Sequence, residues 1–222
     1  MKKLMLFLLT LLLSGCAYSG TIKQDFYKPP EISQNKTLLS IAIPETTKFK
    51  ETKLSESAGG QTYTILFHPA LIKAFYAELS TIFNSASIVQ PHDKQDKYNI
   101  LFYPSFKSEY LDGNAFVGVF KYRLTLSLLA VNAKTKDKIK EYSRTDDFVY
   151  DSNTPTVALL GILTGLSLFI LSPITMPLAV QSTGNDITAG LENFLSKSIT
   201  IIGEEIRDDP ALLSIAREET TR

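Results

Sequence analysis

The pattern of apolar and polar positions divides this chain into three kinds of segment. Leu4 to Leu13 is apolar except for Thr10, and Ser152 to Asn185 carries no charge. Between and after them, apolar residues recur at the periods of strands and helices. The period-two segment with the cleanest alternation is Phe116 to Val131: Phe120, Tyr122, Leu124, Leu126 and Leu128 fall on one face, and Lys121, Arg123, Thr125 and Ser127 on the other. That predicts a strand with one dry face and one wet face. Leu38 to Ile43 predicts a short buried strand ended by Pro44, and Ser87 to Gln90 another. Tyr98 to Tyr110 predicts a strand with Tyr98, Ile100, Phe102 and Phe106 on one face. Leu111-Asp112-Gly113-Asn114 reads as the hairpin turn that follows it. Asn132 to Lys138 turns the chain again, and Ile139 to Tyr150 returns as a more polar strand near a sheet edge.

Helical spacing appears twice. Leu71, Phe75, Leu79 and Ile82 form a stripe behind His68-Pro69, with Asn84-Ser85 as the stop. Ile187, Leu191, Phe194 or Leu195, Ser198, Ile202 and Ile206 form a second stripe over 186–206. Asn185 or Asp186 can cap that helix, and Asp208-Asp209-Pro210 ends it. Glu45 to Gln61 reads as a charged loop with a Gly59-Gly60 turn, and the last dozen residues as a short exposed helix. The expected fold class is α+β: a four- to five-stranded antiparallel or mixed sheet with two helices packed on one face, plus a hydrophobic helical insert before the last helix. The expected organisation is a signal peptide at 1–15, a lipidated N-terminus and tether at 16–37, one domain at 38–207 that includes the apolar segment 156–181, and a tail at 208–222.

The two uncharged segments point to a membrane. Met1-Lys2-Lys3, the apolar run and Ser14-Gly15 have the order of a secretory signal peptide. Its ten-residue core reaches only ~15 Å as a helix, against ~30 Å of hydrocarbon, so it is too short to span. Leu13-Ser14-Gly15-Cys16 resembles the lipobox of bacterial lipoproteins. The resemblance implies cleavage between Gly15 and Cys16 and a diacylglycerol on the Cys16 sulfur. Ala17 in the next position resembles the outer-membrane default of that family. Val157 to Val180 would reach ~36 Å as a helix, but Pro173 and Pro177 leave an unbroken part, Val157 to Leu171, of only ~22 Å. Gly161 and Gly165 form a GxxxG pair that lets helices approach closely. Val157, Leu160, Gly161, Gly165, Leu168 and Phe169 are the candidate contacts. The segment could dip into one leaflet or pack on membrane partners, span the bilayer, or form a buried hairpin or oligomer contact. In its order of elements, from about Leu38 to Ile206, the chain also resembles the TolB N-terminal domain and the periplasmic lipoproteins grouped with CsgG and LpoB. That resemblance implies an architecture and carries little about activity.

Composition narrows the function classes. The 222 residues hold 23 basic and 23 acidic side chains. Two of the basic ones, Lys2 and Lys3, belong to the leader, so the remainder is slightly acidic and nucleic acid is not an expected partner. Cys16 is the one cysteine, so the fold stands without disulfides. Ten tyrosines and thirteen phenylalanines without tryptophan suit a sheet-rich core. His68 and His92 do not make a zinc pattern. Ser57 lacks the Gly-x-Ser-x-Gly setting of a hydrolase nucleophile. Asp146-Asp147 and Asp208-Asp209 read as solvated pairs. Phe102, Tyr103, Phe106, Tyr110 and Phe116 read as core ahead of a stacking platform. No catalytic residue, metal or cofactor is expected. The expected role is a non-enzymatic envelope lipoprotein, an accessory or assembly subunit held by lipid at Cys16, whose partner is an envelope protein or further copies of itself. An oligomeric export-channel subunit and an envelope hydrolase are the alternatives.

Overall fold

The structure is a computed structural model, and it describes residues 17–30, 36–50, 53–58, 61–114, 119–151 and 172–220. In chain order these hold β1 (Ala17–Thr21), β2 (Thr37–Pro44), the single turn α1 (Thr47–Lys50), β3 (Lys53–Ala58), β4 (Gln61–Leu66), α2 (Ala70–Ile82), β5 (Phe83–Val89), β6 (Ile100–Asn114), β7 (Val119–Asn132), β8 (Lys138–Asp151), α3 (Ser172–Arg207) and α4 (Pro210–Thr220). The α+β class is as expected, with strands in two sheets. The five-stranded sheet has the order β5-β2-β6-β7-β8, and a three-stranded sheet has the order β1-β4-β3.

The larger sheet is mixed. β2 lies parallel to β5 on one side and to β6 on the other. Flanked on both edges, β2 is dry: Ile41, Ala42 and Ile43 are fully buried. This is why its sequence is a continuous apolar run with no alternation. β6, β7 and β8 form a long antiparallel meander. On β7 the alternation is realised: Tyr122, Leu124, Leu126 and Leu128 are buried, and Lys121 and Arg123 are exposed. Ser127, on the other face, is buried too, with its hydroxyl 2.9 Å from that of Ser105. β8 is an edge strand, as its polarity predicts.

Helices α2 and α3 cover the inner face of this sheet. Leu71, Phe75, Leu79 and Ile82 of α2 are buried, and so are Ile187, Leu191, Leu195, Ser198, Ile202 and Ile206 of α3. Phe194 is only partly buried, so the α3 stripe runs through Leu195. α3 touches α2, β7 and β8, and also β1 and β4 of the small sheet, so both sheets share one core through this helix.

Several expectations need correction. The stretch assigned to a tether contains β1, which pairs parallel to β4, and it buries Ile22 and Tyr27. A few well-spaced apolar side chains dock a segment whose average composition is polar. The charged 45–61 stretch is likewise not a plain loop: it holds α1 and β3, and β3 pairs with β4 as a hairpin. Gly59-Gly60 lies outside the described residues. β5 begins at Phe83, directly after α2, so no residue separates helix from strand. Asp112, Gly113 and Asn114 stay in β6, paired with Lys121, Phe120 and Val119, and the ladder slips between Tyr110 and Asp112. Glycine inside a strand often marks such a bulge instead of a turn. Tyr98 precedes β6 and packs with Ala42, Val89, Leu101 and Ala133 in a second cluster, apart from Ile100 and Phe102. α3 starts at Ser172, so Asn185 and Asp186 lie inside it and cap nothing. α4 is not wholly exposed, because Leu212 is buried against the main core.

Leu195 makes no contact with solvent. Leu195→Ala should destabilise the fold by about 2–5 kcal/mol, the cost of a buried leucine plus the cavity it leaves. The midpoint of urea unfolding measures this, and an unshifted midpoint would mean that the α3 stripe is not core.

Candidate functional site

The chain just after Cys16 runs lengthwise along α3, in the same direction. The Tyr18 hydroxyl donates to Asn185 Oδ1 at 3.2 Å and lies 3.4 Å from Thr188 Oγ1. The Lys23 amide donates to Glu192 Oε1 at 2.9 Å. Tyr27 then reaches Thr200, 3.5 Å between hydroxyls. The Tyr18 ring lies against Gly184, where a Cβ would collide with ring carbons Cγ, Cδ1 and Cδ2. Gly184, inside α3, is therefore a socket for that ring. Cys16 is the residue immediately before this docked strand. Cys16 and Gly15 themselves lie outside the described residues, as do Val157, Leu160, Gly161, Gly165, Leu168 and Phe169. Among the described residues, no helix is long and apolar enough to cross a membrane.

The far end of this strap closes on a buried carboxyl group. Tyr27 donates to Glu78 Oε2 at 2.5 Å, and Arg207 Nη2 stands 3.7 Å from Glu78 Oε1. Oε1 is buried and has no hydrogen-bond partner. Burial pushes the Glu78 carboxyl above its ordinary value, and the bond from Tyr27 and the charge of Arg207 only partly oppose it. Burial and the bond to Glu78 push the Tyr27 phenol upward as well. Space for the carboxyl exists because residue 203 is glycine: a Cβ there would collide with Glu78 Oε1, Cδ and Cγ.

Two other clusters hold carboxylates. Glu45, just past β2, accepts from Gln90 Nε2 at 2.8 Å, pairs with Lys50 Nζ at 3.0 Å and lies 2.6 Å from His68 Nε2. Burial raises its pKa, but the bonds from Gln90, His68 and Lys50 outweigh that and hold it at about 2. His68 is half-buried. Its imidazole is pinned by a carboxylate, with Phe49 edge-on at 6.3 Å. Such a pair could orient a proton, but it is spent on joining β2, α1 and the start of α2.

The second cluster corrects the reading of Asp208-Asp209. Asp208 is exposed, but Asp209 is buried. It accepts from Lys140 Nζ at 2.6 Å and from the Tyr142 hydroxyl at 2.9 Å, and its other oxygen accepts from the Ala211 amide at 2.8 Å. Burial raises its pKa, and these three bonds, with the charge of Lys140, outweigh it and lower the group. The signal was present in the sequence: Asp directly before Pro is the order of an N-cap and a first helical residue.

The remaining candidates carry no chemistry together. His92 is exposed, 3.9 Å from Asp93. Asp146 and Asp147 are about half exposed and pair with Arg144 and Arg123. Phe102 is buried, Phe106 packs on Phe67 at 4.4 Å, Tyr103 joins the other cluster and Tyr110 is exposed, so these four form no common platform. Phe116 and the side chain of Ser57 lie outside the described residues. Among those residues no group of histidine, cysteine, aspartate and glutamate is arranged to hold a metal ion.

No family model matches the chain, and no curated protein does. Among solved structures, it is similar to a Xanthomonas campestris protein of the DUF330 family, with 11% identity and a TM-score of 0.44, covering 93% of this chain and 99% of that one. It is similar to a neuraminyllactose-binding hemagglutinin homolog from Helicobacter pylori, with 10% identity and a TM-score of 0.45, covering 89% of this chain and 98% of that one. It is also similar to a minor lipoprotein from Acinetobacter baumannii, with 13% identity and a TM-score of 0.30, covering 73% and 95%. At this degree of overlap, likeness carries no conclusion about function.

Glu45 ionises at lower pH in the fold than in the unfolded chain, so its contribution is present above the ordinary carboxylate value and is lost as pH falls from about 4.5 to about 2. Glu45→Gln should be less stable at neutral pH and should lose stability less steeply across that window, as read by thermal melts at stepped pH. Gly203→Ala should destabilise by about 1–3 kcal/mol through overpacking, although the same change in an open helix would stabilise by about 1 kcal/mol. Urea unfolding gives the sign, and a stabilised variant would show that Glu78 swings aside freely.

Proposed function

We propose that this protein is a lipid-anchored lipoprotein of the bacterial envelope that acts without catalysis, as an accessory or assembly subunit of a larger complex. The observation that carries the reading is Leu13-Ser14-Gly15-Cys16, placed directly behind a basic start and an apolar core. Two acyl signals or more hold a chain firmly at a membrane, whereas one holds it marginally. Ala17 favours the outer membrane, with the domain facing the periplasm. Val157 to Val180 supplies a further contact, to lipid or to a partner, through Leu160, Leu168 and Phe169 and the small pair Gly161 and Gly165.

The domain supports a binding role. Its internal carboxylates, Glu45, Glu78 and Asp209, are engaged in holding elements together. Among the described residues, no strand pairs with the outer edge of the fourteen-residue β8, and an extended segment of a partner could add to it.

In cells given radiolabelled palmitate, the wild-type chain should be labelled and processed. Cys16→Ala should take up no label and should accumulate as uncleaved precursor. Labelling of the variant, or a mature terminus at another residue by mass spectrometry, would refute the lipoprotein reading.

A further inference from the structure

We infer that one end of the molecule, formed by the tips of β6, β7 and β8, lies against the phospholipid surface. This rests on acylation at Cys16 and adds the orientation in which the domain is held.

The placement follows from pairings along α3. Gly190 packs on Phe148 of β8, while Asp209, just past the end of α3, bonds Tyr142 and Lys140 nearer the start of β8. α3 therefore runs antiparallel to β8. Gly184 lies ~9 Å further toward the helix start than Gly190, at 1.5 Å per residue. That puts Tyr18 level with the last residues of β8. Asp151 pairs with Val119 there, and Val119 pairs with Asn114. The residue after Cys16, the closing end of β8 and the β6–β7 tip thus share one end of the fold. Because β1 starts at Ala17, no flexible spacer lets the domain turn away from lipid attached at Cys16.

The side chains at that end suit a bilayer interface. Tyr110, Leu111 and Val149 are 50%, 37% and 53% exposed, three of the eight large apolar side chains that stand open among the described residues. Val149 sits across from Lys121, whose aliphatic stem can lie on the apolar surface while its ammonium reaches headgroups. Tyrosine is a residue of membrane interfaces, apolar in its ring and polar at its tip. The opposite end is built differently. There the turn after β7 and the loop before β6 meet, with the Ala133 amide donating to Asn99 O at 3.0 Å, and the exposed side chains include Lys94, Lys134, Lys136 and Asp137. The end beside Ala17 thus carries Tyr110, Leu111 and Val149 among the exposed charges of Glu109, Asp112 and Lys121, while the other end is mostly charged, with Leu38 as its exposed apolar residue.

The test uses the processed protein in vesicles of phosphatidylethanolamine and phosphatidylglycerol. Lipid blocks the Cys16 sulfur, so Leu111→Cys, Val149→Cys and Lys134→Cys each offer one free thiol for an environment-sensitive dye. All three positions are exposed, so the variants should fold. An interfacial element sits ~5–10 Å into the headgroup region, so quenching by lipids brominated near the glycerol end should be roughly twofold or more stronger at 111 and 149 than at 134. Equal quenching at all three sites, or quenching strongest at 134, overturns the orientation. Mass spectrometry of the same sample reads the anchor. An unmodified Cys16 refutes the lipoprotein reading and this one with it, whereas an acylated chain without contact at 111 and 149 refutes this one only.

Discussion

The fold depends on the close approach of other elements to one helix. α3 presents an apolar stripe to the sheet, and at three points its glycines admit a side chain from elsewhere: Tyr18 of β1 at Gly184, Phe148 of β8 at Gly190 and Glu78 of α2 at Gly203. Each socket fixes the position of a different element along the helix. Packed interiors tolerate little change in volume, so three filled sockets set the register of α3 against both sheets. Glycine lowers helix propensity by about 1 kcal/mol per site, and here the loss is offset by packing that no larger residue would allow.

Polar groups then lock the places where chain segments leave the sheet. Glu45 holds the exit of β2 to α1 and to His68. Asp209 closes the end of α3 on β8 and starts α4. Both stay ionised because donors surround them. Glu78 differs: with one oxygen unpartnered, burial dominates and favours the neutral acid. Above the ordinary carboxylate value its ionisation therefore works against the fold, while Glu45 and Asp209 contribute there. Stability is thus opposed at low pH by the loss of two carboxylates and at higher pH by the charging of a third.

The N-terminal strap is docked on the domain and is not a free tether. A polar tether would leave the domain free to reach outward. A strand that begins at Ala17 instead fixes the chain on β4 and α3 from that residue onward.

The sequence by itself determined what depends on local order: the basic, apolar and small residues ending in Cys16, the alternation of β7, the unbroken apolar run of β2, the polarity of β8 and the stripes of α2 and α3. Each reflects which face of one element is dry, and that is written in its own periodicity. Tertiary structure decided the rest. That Tyr18, Ile22 and Tyr27 dock, that β1, β3 and β4 form a second sheet, that Gly184 is a socket within a helix and that Asp209 is buried all depend on residues distant in the chain. A short polar segment takes its structure from the surface it meets, and a glycine or an aspartate reads the same in sequence whether it ends a helix or fills a gap in the core.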